Sequence, residues 1–351
     1  MTIKSSGSPN PPLSFLEIET EFGAQNPRSL GAYRHTQTVN GLTFNGIDSG
    51  IPSGANDTIK FSDFYGKSLN IVVDCYSGST EFRVSAKKKW NNNSIVIINP
   101  STVSKKESGT KITIRVNKKI GSNKNSVNHC ALRTGSWNNP AQVIVDLGSN
   151  AKVLGSGGNG GKGANGIANN GGDGGDGSSG LGIEHQGTVV NYRSGSIIRA
   201  GFAGGGGGGG GRETSKNDRR AGGGGGGGGA GFPSGTGGAG GVPQAGTNAS
   251  GAGGNAGSNG TETTGGNGGS GGDNDDQAGG GKGGKGGDDE QAATNGDNSA
   301  TEGHTKPPGL RGVAGQNGAA IRKSSGVSFT FGTGALNDGT IEGSTNASGV
   351  A

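Results

Sequence analysis

Gly204–Gly211 and Gly222–Gly229, two uninterrupted runs of eight glycines, enclose the charged insert Arg212-Glu-Thr-Ser-Lys-Asn-Asp-Arg-Arg220. A run without a Cβ buries no apolar face, and each glycine loses more backbone entropy on ordering than any other residue. No hydrophobic core can order these runs. Either they stay unordered, or hydrogen bonding to neighbouring backbone orders them.

The composition around the runs is divided in the same way. Of 83 glycines, 64 fall between residues 151 and 319, a region with too few Leu, Ile, Val and Phe for a core. Residues 1–150 hold only 13 and are long enough for one ordinary domain or two small ones. Lysine and arginine number 31 against 26 acids, giving a net charge of +5. No continuous basic face interleaved with aromatics can be traced, so no nucleic-acid partner is expected. Cys75 and Cys130 are too few for a disulfide framework and read as two small buried thiols, with a bridge between them left open. Pro9, Pro11 and Pro12 stand where a signal peptide needs its apolar stretch, so the chain reads as made in a cytoplasm without the usual export signal.

Four regions follow. Residues 1–68 contain a short amphipathic helix, Ser14-Phe-Leu-Glu-Ile-Glu-Thr-Glu-Phe22, with serine at the N-cap and acids in the first turn. An aromatic cluster follows at Thr58-Ile-Lys-Phe-Ser-Asp-Phe-Tyr-Gly-Lys67. Residues 69–154 carry β-branched runs at 69–76, 81–86, 94–98, 111–116 and 142–147. They are short and separated by Asn, Gly, Ser and Lys, which predicts a small antiparallel β-domain. Residues 155–319 are the glycine-rich region, interrupted by one strand-like stretch at 187–202. Residues 320–351 return to alternating apolar positions and predict a closing β-segment.

For residues 155–319 three familiar readings compete with an ordered one. A flexible linker is the usual fate of Gly/Ser/Asn-rich sequence. Collagen fails, since there is no sustained G-X-Y register and proline is scarce. A calcium-binding β-roll begins to fit at Gly171-Gly-Asp-Gly-Gly-Asp176, but Ser178 stands where an aliphatic residue is needed and the period does not continue. The ordered alternative is a bundle of polyglycine II helices, each spanning about 25 Å for eight residues at roughly 3.1 Å rise. Packed side by side, they pair their amides and carbonyls with neighbours instead of water. This alternative also explains why polar, charged or proline-bearing inserts break the glycine at intervals: 212–220, 232–234, 242–245, 261–264, 273–277 and 288–308 become loops at the ends of rods. The fold expected is mainly β plus polyglycine II, a small antiparallel β-domain followed by a glycine-rich sandwich.

The order of these pieces resembles the tail-fibre-tip adhesins of T-even-type bacteriophages. The matching residues are Gly157-Gly-Asn-Gly-Gly161, Ser196-Ile-Ile-Arg-Ala-Gly-Phe-Ala203 feeding the first run, the second run, and Gly318-Ala-Ala-Ile321 with Gly326-Val-Ser-Phe-Thr-Phe331. The resemblance implies a polyglycine II sandwich whose loops bind a receptor on the host. The N-terminal part departs from those adhesins. There, Ile59-Lys-Phe-Ser-Asp-Phe-Tyr-Gly-Lys67 is similar to a segment near the N-termini of virion structural proteins of tailed phages, marine and cyanobacterial ones in particular.

The leading expectation is therefore a phage tail or tail-fibre tip adhesin recognising a bacterial surface glycan or outer-membrane protein. Residues 1–68 would attach it to other tail or fibre proteins, and a single copy and a homotrimer both stay open. The receptor contacts are expected among Arg212, Lys216, Arg219, Arg220, Phe232, Asp273, Asp275, Asp276 and His304, charged and aromatic residues of the inserts. The competing expectation is a structural tail, baseplate or collar component with the glycine region as a spacer. Catalysis is not expected, because the acids fall in loops or singly rather than as a positioned pair. His35, His129, His185 and His304 lack metal-ligand spacing, so neither a metal nor a cofactor is expected.

Overall fold

The computed structural model describes residues 12–22, 29–30, 36–39, 42–45, 51–52, 56–67, 70–75, 82–83, 95–97, 111–122, 126–135, 137, 142–166, 169–212, 220–243, 252–273, 279–300 and 309–350. The predicted helix is α1 (Phe15–Phe22). Its N-terminus is a reciprocal capping box: the Glu17 N–H donates to Ser14 Oγ at 3.2 Å, and the Ser14 N–H donates to Glu17 Oε2 at 2.8 Å. A hairpin of β1 (Thr36–Val39) and β2 (Leu42–Asn45) follows. Ile18, Ile51 and Phe64 form a small core here, separate from the main one.

The main core lies inside a three-sided stack of strands. After β3 (Asn70–Cys75), β4 (Phe82–Arg83) and β5 (Ile95–Ile97), the chain makes successive circuits. The first runs through β6 (Lys111–Val116), β7 (Lys119–Gly121) and β8 (Cys130–Arg133). The second runs through β9 (Gln142–Leu147), β10 (Lys152–Leu154) and β11 (Ser179–Ile183). A third takes β12 (Thr188–Tyr192) and β13 (Ile197–Arg199), then leaves for a long excursion containing β14 (Gly211–Arg212) and β15 (Arg220–Ala221). It returns at β16 (Ile321–Lys323). The last circuit is β17 (Phe329–Phe331), β18 (Thr340–Glu342) and β19 (Ala347–Ser348).

Corresponding strands of successive circuits stack in three sheets, ordered β17-β12-β9-β6-β3-β5, β18-β13-β10-β7 and β19-β16-β11-β8-β4. Pairing within them is parallel except for β3 with β5. Inward residues therefore form ladders: Ile114–Val145–Val190 on one face, Ile120–Val153–Ile198 on the second, Leu132–Leu181–Ile321 on the third. All are fully buried.

This corrects the expected antiparallel domain. Alternation of buried and half-buried residues, as in β6 and β9, is common to both kinds of pairing. The short connections β6–β7 and β9–β10 are corners between faces, and each strand finds its parallel partner one circuit later. The strands of 320–351 close the same three sheets that begin in 69–154. Cys75 in β3 and Cys130 in β8 are both buried thiols, as the sequence led us to expect.

The glycine-rich sequence leaves the stack twice from the same corner, between β10 and β11 and between β13 and β16. It runs out and back in ten extended stretches: 155–166, 171–178, 201–210, 222–230, 233–242, 252–261, 264–273, 279–288, 293–300 and 309–318. The two octaglycine runs lie in the middle. In the first, hydrogen-bond partners rotate with a period of three. The N–H groups of Gly204 and Gly207 donate to Gly175 and Gly172, those of Gly205 and Gly208 to Gly227 and Gly224, those of Gly206 and Gly209 to Thr294 and Asp297. The carbonyls of the same residues accept from 309–318, 155–166 and 279–288. The second run donates to 155–166, 279–288 and 252–261 and accepts from 233–242, 201–210 and 264–273.

Each central stretch thus has six neighbours, and the ten stretches form three layers of three, four and three. A Cβ on Gly204, Gly205 or Gly206 would overlap the carbonyl oxygen of Asn159, Gly284 or Gly312, in three different directions. Only glycine fits all round. The flanking stretches are covered on one side alone, and there every third residue turns outward. Asn and Asp at such positions accept amides of the next stretch: Asn159 from Thr236 at 3.0 Å, Asp173 from Val313 at 2.9 Å, Asp176 from Gln316 at 2.8 Å. Asp173 and Asp176, which invited a calcium reading, are backbone acceptors.

Candidate functional site

Because the stretches alternate in direction, the block has two chemically different ends. The near end rests on the β-stack through the turns 231–234 and 261–264, and the turn 288–292 lies at the same end. The Phe232 N–H donates to the Gly155 carbonyl at 2.9 Å, and its own carbonyl accepts from the Ser122 N–H at 3.2 Å. Lys119 Nζ stands 4.1 Å from the centre of the Phe232 ring, a cation–π contact. These contacts cover the edge of the sheet at β7, which would otherwise present unpaired backbone groups.

Glu262 holds the next turn. Its carboxylate accepts from Lys119 and Lys152, each at 2.9 Å. Its main-chain carbonyl accepts from the Arg199 guanidinium, which also pairs with Glu342 at 3.3 Å. Partial burial pushes the Glu262 carboxyl up, but hydrogen bonds and charge from Lys152 and Lys119 outweigh it and hold the group below the usual carboxylate range. Asp288 is similar: burial pushes it up, and the amides of Gly265 and Gln291 with the Lys285 ammonium bring it below its ordinary value. Both carboxylates therefore remain ionised where they anchor turns.

The far end is where the described stretches terminate at Gly166, at the β14–β15 pair, at Pro243, at Asp273 and at Ala300. In the β14–β15 pair Arg212 lies directly opposite Arg220, and Gly211 opposite Ala221. Arg220 is half-buried against Gly166, where a Cβ would come within 2.6 Å of the arginine's own. The register sets the two arginine positions opposite each other at the tip. Asp273 is exposed at the end of its stretch.

The expected contact residues thus separate. Arg212 and Arg220 are paired at the far end, and Asp273 ends its stretch at the same end. Lys216, Arg219, Asp275, Asp276 and His304 lie outside the described residues. Phe232 lies at the near end, packed on the β-stack. Sequence reasoning passed over Glu262, Lys119 and Lys152. The signal for the two ends was available: successive inserts must alternate between them, so 212–220, 242–245 and 273–277 belong to one end and 232–234 and 261–264 to the other. The insert at 288–308 broke the count, because it contains a further stretch, 293–300, pairing with 279–288.

A rigid block on a three-sided β-base, with polar and charged turns gathered at its free end, has the build of a protein that presents binding loops on a scaffold. The family model described as the phage tail fibre adhesin Gp38 matches residues 81–346, and the chain belongs to that family. It is a receptor-binding adhesin and a component of the virion tail fibre. Among solved structures, one that it resembles is the gp37-gp38 adhesin tip complex of the bacteriophage S16 long tail fiber. That likeness has 21% identity over 83% of this chain and 88% of that one, with a TM-score of 0.33. No curated protein sequence matches the chain.

Proposed function

We propose that the glycine-rich block is a polyglycine II sandwich whose far-end turns bind a bacterial surface receptor without catalysis. One observation carries this reading: the amides and carbonyls of both octaglycine runs are shared out among six neighbours with a period of three. That period is the repeat of a polyglycine II helix. The resulting scaffold holds its turns with little entropy left to lose on binding. The contact set is drawn from Arg212, Lys216, Arg219, Arg220, Asp273, Asp275, Asp276 and His304. Phe232 is left out of it, since its ring and carbonyl serve the near end.

The insert 212–220 carries Arg212, Lys216, Arg219 and Arg220 against Glu213 and Asp218, which favours an anionic receptor group, a phosphorylated surface glycan or an acidic loop of an outer-membrane protein. Residues 1–68 attach the chain to other tail-fibre proteins of the phage, and the β-stack sets the distance between attachment and tip. The chain is made in the host cytoplasm and assembled there into the virion.

The test is to exchange residues 213–219 for a Gly-Ser linker of equal length in an otherwise intact phage. Adsorption to the original host is expected to fall at least tenfold, about 1.4 kcal/mol of binding, while the melting temperature of the purified chain stays unchanged. Unaltered adsorption with a folded chain would favour the reading of the glycine region as a structural spacer.

A further inference from the structure

Asparagine followed by glycine is especially prone to lose its side-chain amide, because a glycine nitrogen reaches the asparagine Cγ with no Cβ in the way. Seven such pairs lie among the described residues, all in the glycine-rich block, and six of them are clamped. Oδ1 of Asn159, Asn165, Asn170, Asn259, Asn295 and Asn317 accepts a backbone amide of a neighbouring stretch at 2.8–3.0 Å. The glycine that follows each one donates its own N–H to a carbonyl of that same neighbour at 2.8–3.2 Å. At Asn159, Asn165 and Asn170 a single residue, Thr236, Val242 or Leu310, takes both bonds. Before such a pair can cyclise, both hydrogen bonds must open.

Asn267 is the exception. Its side chain is exposed and finds no hydrogen-bond partner among the described residues, and neither does the N–H of Gly268. The reason lies in the adjacent stretch 279–288. Asp288 Oδ2 accepts the Gly265 N–H at 3.1 Å. The two stretches run antiparallel, with Gly286 donating to Gly266 and Gly283 to Gly269, so three residues after Gly265 the place of Asp288 is taken by Lys285. An ammonium accepts no hydrogen bond, and this one is held by Gln291 at 2.8 Å and Asp288 at 3.4 Å. Gly268 therefore stands opposite a donor, where Gly265 finds an acceptor.

We infer that Asn267 is the site at which the folded block is covalently modified, by deamidation. The Gly268 nitrogen gives up its proton to water and bonds to Asn267 Cγ, the Cγ–Nδ2 bond breaks, and the amide leaves as ammonia. Water then opens the cyclic imide at one carbonyl or the other, leaving aspartate or isoaspartate. Isoaspartate adds a methylene to the main chain between Gly266 and Gly269. The N–H groups of those two glycines donate to Gly228 and Gly225 of the second octaglycine run, each at 2.8 Å. The three-residue spacing that fits 264–273 to that run is then lost.

The experiment holds the folded full-length chain in mildly alkaline buffer and follows each asparagine by peptide mapping with mass spectrometry, isoaspartate being counted with an isoaspartyl methyltransferase. Asn267 is expected to convert at least about tenfold faster than any of the six clamped asparagines, since each of those must first break two hydrogen bonds. In denaturant all seven should convert at comparable rates, so that the folded structure and not the local sequence sets the order. The aged chain should also melt earlier than an Asn267→Gln chain aged alongside it, because glutamine cyclises far more slowly. Equal conversion of Asn267 and the clamped sites in the folded chain overturns the inference, and so does a clamped site that converts first. Unchanged melting of a chain carrying isoaspartate at this position overturns the loss of spacing.

Discussion

Gly226→Ala is expected to leave no folded glycine block. Gly226 sits at the middle of the second central stretch, where its N–H donates to Gly161 at 2.8 Å and its carbonyl accepts from Gly238 at 2.8 Å. The added Cβ would overlap the carbonyl oxygen of Gly205 in the adjacent central stretch. The obstructing atom is backbone, held by its own bond from Gly161, so it has no rotamer by which to withdraw. Separating the two stretches would break bonds on both, each contributing roughly 0.5–1.5 kcal/mol. A loss above about 3 kcal/mol is expected, beyond the common range for one inserted methyl group. Gly279→Ala is the matched control, because its Cβ would meet only the Gly272 carbonyl at 3.4 Å, an ordinary contact. Thermal unfolding of the two variants checks the contrast.

The second large effect is expected in the base. Leu181 is fully buried in β11 between Leu132 of β8 and Ile321 of β16. It therefore touches strands before, between and after the two glycine excursions. Leu181→Ala should cost about 2–5 kcal/mol, lowering the melting temperature of a chain this long by roughly 3–7 °C. The glycine block has almost no apolar core, and its ends are tied to this stack at Gly155, Ser178, Gly201 and Gly318. Base and block should consequently melt together. A calorimetric trace that splits into an early base transition and a late block transition would show the block stable without the stack.

How far the sequence revealed this arrangement depended on whether the deciding signal was local. The helix with its Ser14–Glu17 cap was legible because capping is written within four residues. The bounds of β6 and β9 were legible from runs such as Lys111-Ile-Thr-Ile-Arg-Val116, where alternation and β-branching coincide. Their parallel partners were not, because pairing is set by a circuit that closes some thirty residues later and Thr113 looks the same beside either neighbour. β11 was missed altogether: Ser179-Gly-Leu-Gly-Ile183 has two glycines, and one of them, Gly182, is small because Cys130 packs against it.

The two octaglycine runs were recognisable as the centre, since complete absence of side chains is what six-sided contact demands. The outward Asn and Asp residues were not recognised as amide acceptors, because their partners are far away in sequence, Asp176 with Gln316 for example. For the candidate site, the insert 212–220 stood out by its charge and by its place between the two glycine runs. Phe232 was grouped with it on type alone, since an aromatic in a loop says nothing about which end of the block the loop occupies, and the structure places it at the near end. Glu262 looked like one more loop acid, and only the folded chain brings Lys119 and Lys152 to it.

The central claim is that backbone hydrogen bonds between neighbouring stretches order the glycine runs. Amide hydrogen exchange resolved at Gly204–Gly211 and Gly222–Gly229, by NMR on glycine-labelled full-length chain, tests it most directly. Protection comparable to that of the buried β9 amides is predicted, with the end residues Gly211 and Gly222 exchanging first. Exchange of both runs at the rate of an unstructured glycine peptide would contradict it.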